Sequence, residues 1–178
     1  MKLLWLDLEM SGLDPDKDVI LEVAAIVTNK DLEEVASFNK VIHHGEFRLQ
    51  GMDEWNTTHH QASGLWNSVL NSKESLEQVE ESLLKFLDQF FKPNEKIFLA
   101  GNSIYHDRNF IKKYMKSLEQ RLHHRLLDVS SWKLIFFNNH NIQYKKQNTH
   151  RALDDTKESI AELQHYMSFC DFKKKKEE

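Results

Sequence analysis

Five side chains in this sequence are of the types and spacings that do phosphodiester chemistry: Asp7, Glu9, Asp107, His150 and Asp155. Asp7 and Glu9 stand two apart in a run otherwise built of Leu and Trp, Leu3-Leu4-Trp5-Leu6-Asp7-Leu8-Glu9. Side chains of a strand alternate, so both carboxylates project from one face while Leu6 and Leu8 turn to the other. Two acids side by side on an apolar sheet repel each other and lose hydration, a cost that bound divalent cations offset. Taken alone, the pair also reads as a solvated strand end. Asp107 follows Gly101-Asn102-Ser103 and opens the stretch that carries Phe110 and Ile111. A strand ending in a glycine turn before a helix is where α/β sheets present functional groups, although taken alone Asp107 reads first as a plain N-cap, where Asp is favoured.

His150 and Asp155 flank Arg151-Ala152-Leu153-Asp154. Five residues of continuous helix would turn them about 140° apart. They converge only if His150 precedes the helix and Asp155 lies in its first turns. Asp154 reads as a surface acid that complements the helix dipole, and His150, one of ten histidines, has an ordinary alternative as a surface or capping residue. Together the four carboxylates and one histidine, with no thiolates, select Mg²⁺ or Mn²⁺ over zinc. Such acids hold two ions roughly 3.5–4 Å apart, which clamp the attacking and leaving oxygens of a phosphodiester. A histidine beside them takes the proton of the attacking water.

The elements that must position these groups follow from periodicity. Residues 3–9, 19–28 and 35–43 read as strands joined by short polar turns, and such short connections favour antiparallel pairing in a meander. Leu76, Val79, Leu83, Phe86, Leu87 and Phe90 keep helical spacing, with Ser72 or Ser75 as the cap and Pro93-Asn94 as the stop. Residues 97–100 read as a buried strand. Phe110, Ile111, Tyr114, Met115 and Leu118 form one amphipathic stripe, and the short apolar run Leu126-Leu127 precedes a helix near 129–137. A strong helix is expected over about 152–169, with Ile160, Leu163, Tyr166 and Met167 on one face. Meander strands followed by helix–strand–helix units predict an α/β layered fold with a mixed sheet.

With 178 residues and 40% hydrophobic content, the chain fits one domain with a packed core. The domain is expected over residues 1–172, with a charged, Lys-rich tail over 173–178. A net charge of −4 argues against coating long nucleic acid, but leaves room for a small anionic substrate held through metal ions. The single Cys170 excludes an internal disulfide and fits a reducing compartment. No apolar run approaches the roughly 20 residues of a membrane helix. A soluble, cytoplasmic protein is expected.

The order Asp7-Leu8-Glu9, then Asp107, then His150-x-Ala152-x-x-Asp155 resembles the DEDDh (DnaQ-like) 3′→5′ exonuclease superfamily. Longer blocks are similar to those of its oligoribonuclease family. They run from Trp5 through Asp14, from Met52 through Asn56, and from His60 through Leu65, then Gly101-Asn102-Ser103-Ile104, Leu127-Asp128-Val129-Ser130 and the segment from His150 to Asp155. The resemblance implies an RNase H-like mixed five-stranded sheet, an antiparallel meander and then parallel strands, flanked by helices. It further implies a homodimer that converts di- to pentanucleotide RNA into nucleoside 5′-monophosphates with two divalent metal ions, Mg²⁺ or Mn²⁺, held by Asp7, Glu9, Asp107 and Asp155.

By the same resemblance, Leu13 wedges between two bases and Trp55 lines the base pocket. His60, Ser103, Arg125 and Ser130 cap the 5′ phosphate of short single-stranded RNA. Each has a plainer alternative: turn packing for Leu13, core for Trp55, a surface ion pair for Arg125. The family usually has Tyr before this Arg, reaching a substrate base from the partner subunit; here the pair is His124-Arg125. The apolar stretch Ser131-Trp132-Lys133-Leu134-Ile135-Phe136-Phe137 suggests an interface, unless its aromatics are simply monomer core. A DNA-trimming exonuclease would share the acids without requiring the phosphate cap, and a non-catalytic RNA-binding module would have little use for them. Adjacent histidines at 43–44, 59–60 and 123–124 make poor chelates in a strand.

Overall fold

A computed structural model describes residues 1–146 and 151–171. Strand β1 (Leu3–Met10) lies at the centre of a five-stranded sheet and β2 (Ile20–Thr28) pairs with it antiparallel. Strand β3 (Glu34–Val41) continues the meander beyond β2. On the other side of β1, β4 (Ile97–Gly101) and then β5 (Leu122–Asp128) run parallel to it, which gives the order β3-β2-β1-β4-β5. The predicted mixed sheet is therefore present, with its antiparallel and parallel halves meeting at the strand that carries Asp7 and Glu9.

Alternation along β1 divides the core. Leu4, Leu6 and Leu8 join Val23, Ala25 and Val27 of β2 on one face. That face is covered by α4 (Leu76–Leu87), α5 (Tyr105–Tyr114) and α6 (Lys116–Arg121). Leu3 and Trp5 face the other way with Ile26, under α7 (Val129–His140) and α8 (Ala152–Met167). Asp7 and Glu9 continue this second face. The Trp5 indole is fully buried and donates to Thr28 Oγ1 at 3.0 Å.

Several expectations need correction. Three short helices, α1 (Glu46–Gln50), α2 (Glu54–Ala62) and α3 (Leu65–Asn71), fill a stretch that the periodicity leaves unassigned. They bury only a few large apolar side chains, chiefly Leu49, Leu65 and Val69 against Leu21. The stripe from Phe110 to Leu118 is two helices broken at Met115, whose φ/ψ of −125°/64° is not helical. The run at Leu126-Leu127 belongs to a full edge strand. Ser75, with Gln78, forms the reciprocal cap of α4, whereas Ser72 donates to Val41 O at 2.6 Å. Among the described residues no helix is long and apolar enough to cross a membrane.

Candidate active site

The C-terminal ends of the three parallel strands converge, and there a doubly covered α/β sheet opens its crevice. Asp7 and Glu9 lie at that end of β1. Asp155 comes from the first turn of α8, its N–H donating to Arg151 O at 3.0 Å. Asp7, Glu9 and Asp155 each offer an oxygen within 4.8 Å of the others. Asp107, in the first turn of α5, is 5% exposed, and its Oδ1 accepts the Leu8 N–H at 2.9 Å. Its carboxylate is thus fastened to the strand between the two β1 acids rather than capping its own helix. The sequence-predicted His150 lies outside the described residues. Helix α8 begins at Ala152, so residue 150 precedes it in the chain.

The electrostatics are those of an acid cluster out of water. Burial, and then the charges of Asp107, Glu9 and Asp155, hold Asp7 well above the ordinary carboxylate range. Glu9 is pushed up to about 8 by burial and then by Asp155, Glu22 and Asp107, with Arg151 opposing. Burial pushes Asp107 up to about 7 against the Leu8 N–H, which favours its charged form.

The turn after β4 is stitched to both neighbouring helices. Ser103, at φ 47°, donates its N–H to Asp128 Oδ1 (3.0 Å) and Ser130 Oγ (2.8 Å), and the two serine hydroxyls are 3.0 Å apart. Asn102 donates to Ser159 Oγ at 3.0 Å and Glu162 Oε2 at 2.8 Å on α8. Gly101 is required here, since a Cβ would sit 2.8 Å from both the Leu6 carbonyl oxygen and Ile104 Cδ1. Ser103 and Ser130 line a recess of about 360 Å³ together with Lys133, Leu134, Phe137 and Gln143.

Leu13 is 66% exposed and Trp55 58% exposed, so neither is core. Trp55 stacks on His59 with ring centroids 3.9 Å apart. The loop that presents Leu13 is braced by Asp18, which accepts from Ser11 Oγ and the Asp14 N–H, both at 2.9 Å. Tyr114 adds hydrogen bonds to Pro15 O and Asp18 O.

Two placements differ from a simple phosphate cap. His60 is buried, 2% exposed, with Nε2 3.0 Å from Met10 O, so its ring supports the end of β1 instead of facing solvent. His124 and Arg125 are exposed on the edge strand β5 and are not among the residues lining the serine recess. The His123 and His124 rings stack at 4.2 Å rather than pointing to opposite faces. The pairing of β4 with β5 shifts register here, from Ile97 opposite Leu122 to Leu99 opposite Leu126, and the Arg125 N–H donates to His123 Nδ1 at 3.0 Å.

Three participants escaped the sequence reading. Lys133 follows Ser130 by three residues on α7 and so shares its face, a signal available from spacing alone. Asp18 is hidden by its turn-like surroundings. Glu22, the one acid in ILEVAAIVT, is fully buried directly opposite Glu9. An acid in an otherwise apolar strand was the available signal.

The exonuclease family RNase_T matches residues 4–163 of the chain. An oligoribonuclease of Pseudomonas putida is 48% identical over 168 residues, covering 92% of this chain and 93% of that relative. The oligoribonuclease of Pseudomonas aeruginosa is also 48% identical, with the same coverage. Among solved structures, the nuclease domain of 3′hExo, a DEDDh family member bound to rAMP, has a TM-score of 0.63 at 14% identity, covering 94% of this chain and 91% of that one. The zinc-bound complex of E. coli ExoI with single-stranded DNA has a TM-score of 0.68 at 14% identity, covering 94% of this chain and 40% of that one. At such identities the likeness is one of fold.

Proposed function

The chain belongs to the exonuclease family RNase_T, with oligoribonucleases among its relatives, and on that premise we propose that it removes nucleotides from the 3′ end of di- to pentanucleotide RNA. What supports this reading is the grouping of Asp7, Glu9 and Asp155 within 4.8 Å, with Asp107 fastened behind them. Leu13, three residues beyond the end of β1, and Trp55 on α2 are both exposed.

We assign Asp7, Glu9, Asp107 and Asp155 to two divalent metal ions, Mg²⁺ or Mn²⁺. The residues fit such ions: all offer hard oxygen, and burial raises the three acids on β1 and α5, with neighbouring carboxylates adding to it, a penalty that a cation removes. When bound, such ions polarise the phosphoryl oxygen and steady the departing oxygen. His150 takes the proton of the water that attacks phosphorus. The P–O3′ bond breaks, so the released nucleotide keeps its 5′ phosphate.

Leu13 separates the two terminal bases and the exposed Trp55 ring supports one of them. The hydroxyls of Ser103 and Ser130 and the Lys133 cation of the same recess, joined by Arg125 reaching from the edge strand β5, hold the 5′ phosphate and so limit length. His60 fixes the strand end from beneath. The domain spans residues 1–172, and a cytoplasmic setting fits both the RNA substrate and the lone Cys170.

A 5′-labelled RNA series from dinucleotide to twenty-mer, incubated with Mn²⁺ and with chelator, tests the reading. Dinucleotides should be cleaved at least as fast as longer strands, and only with metal. Processive digestion of the twenty-mer that leaves dinucleotides behind would overturn the short-RNA assignment, and equal cleavage of a deoxy series would favour DNA trimming.

A further inference from the structure

The ion pair that joins β2 to the start of α8 has no part in the chemistry just described, yet it is built with unusual completeness. Glu22 is 0% exposed and receives four hydrogen bonds: from Arg151 Nε (3.1 Å) and Nη2 (2.7 Å), the Ala152 N–H (3.3 Å) and Asn39 Nδ2 (3.1 Å). The guanidinium is bidentate, one nitrogen to each carboxylate oxygen, a geometry that a lysine cannot reproduce. Helix α8 has no side-chain cap of its own at Arg151. Glu22 supplies the missing acceptor from another element, taking the orphan Ala152 N–H and placing its charge at the positive end of the helix dipole.

The connection runs onward to the acid cluster from both ends. On the helix side, Arg151 O accepts the Asp155 N–H at 3.0 Å. On the sheet side, Glu22 is the cross-strand partner of Glu9. One fork thus fixes the first turn of α8, and the carboxylate it carries, against β2, the antiparallel neighbour of the strand that holds both Asp7 and Glu9. We infer that Glu22 and Arg151 form a positioning latch that sets Asp155 at metal-binding distance from Asp7 and Glu9. The inference rests on the exonuclease reading above, because that reading gives the three acids a common cation.

A positioning role and a bare charge effect predict opposite signs for one variant. Arg151→Met removes a cation and leaves a buried carboxylate beside Glu9. If the pair acted only through space, Mn²⁺ would bind more tightly. If it positions Asp155, Mn²⁺ binds at least tenfold more weakly, as it also does in Arg151→Lys, which keeps charge but loses the fork. Buried pairs replaced together by apolar residues often keep or gain stability. The Glu22→Leu/Arg151→Met double variant therefore separates folding from positioning.

The experiment is calorimetric titration with Mn²⁺ of the wild type, Arg151→Met, Arg151→Lys and the double variant, beside metal-free thermal melts. The expected result is weakened binding in all three variants, including a double variant that melts near the wild-type temperature. Tighter binding by Arg151→Met, or wild-type affinity in the double variant, overturns the latch alone. No Mn²⁺ binding by the wild-type chain overturns the exonuclease reading, and the latch with it. At saturating Mn²⁺ the variants should lower kcat with little change in the dinucleotide KM, and a change confined to KM also contradicts the positioning role.

Discussion

Glu9 shows what grouping these carboxylates costs when no cation balances them. Its ordinary value is 4.5 and in the fold it is pushed up to about 8, while Asp107 goes from 3.8 to about 7. Between those limits the native protein holds protons that the unfolded chain has released. Stability without metal is therefore greatest below the unfolded values and declines as pH rises through the folded ones. The melting temperature of metal-free protein should fall between pH 5 and pH 8, and saturating Mn²⁺ should flatten that fall. A metal-free melting temperature that rises over this range would contradict the shifts. For the same reason Asp7→Asn, Glu9→Gln and Asp107→Asn should each lose more than tenfold in activity, above about 1.4 kcal/mol in transition-state stabilisation, without lowering the metal-free melting temperature. His150→Ala should instead lose about 10²–10⁴-fold and still bind Mn²⁺ by calorimetry. At this scale the acids were legible from type and spacing. The buried partner Glu22 is harder to read, because a single acid in an apolar strand leaves intact the hydrophobic pattern that announces the strand.

The long periodic elements were legible: β1, β2, α4 and α8 fall within a few residues of expectation because each presents a continuous apolar stripe. The short ones were not. Helices α1 to α3 bury few apolar side chains, and Met115 breaks a stripe whose spacing alone cannot reveal a non-helical backbone. Edge strand β5 hides behind His123, His124 and Arg125, whose polarity suits its outer position. Gly101 was legible as a turn but not as a packing requirement. Gly101→Ala forces a methyl to within 2.8 Å of the Leu6 carbonyl, a backbone atom that cannot step aside. Urea denaturation should show a loss of about 1–3 kcal/mol, the usual cost of overpacking. An unchanged midpoint would mean that β4 and β1 approach less closely than this.

At the scale of the molecule, the apolar stretch on α7 divides. Phe136 is core and Trp132 half-buried, but Leu134, Ile135 and Phe137 remain 64%, 55% and 47% exposed. These three side chains, on the helix that follows the edge strand β5, suit the homodimer that the family resemblance implies. His124 on that strand is the residue a partner would borrow. Light scattering should give about twice the 21.1 kDa chain mass, and mixing inactive Asp155→Asn subunits with inactive His124→Ala subunits should restore activity. A fully active monomer would contradict both expectations. The central claim, that the clustered acids of this chain hydrolyse very short RNA with divalent metal, is tested most directly on one 5′-labelled RNA dinucleotide. Wild type and Asp155→Asn are compared in Mn²⁺ and in chelator. The account predicts labelled mononucleotide only from the wild type in Mn²⁺; release in chelator, undiminished release by Asp155→Asn, or no release at all would contradict it.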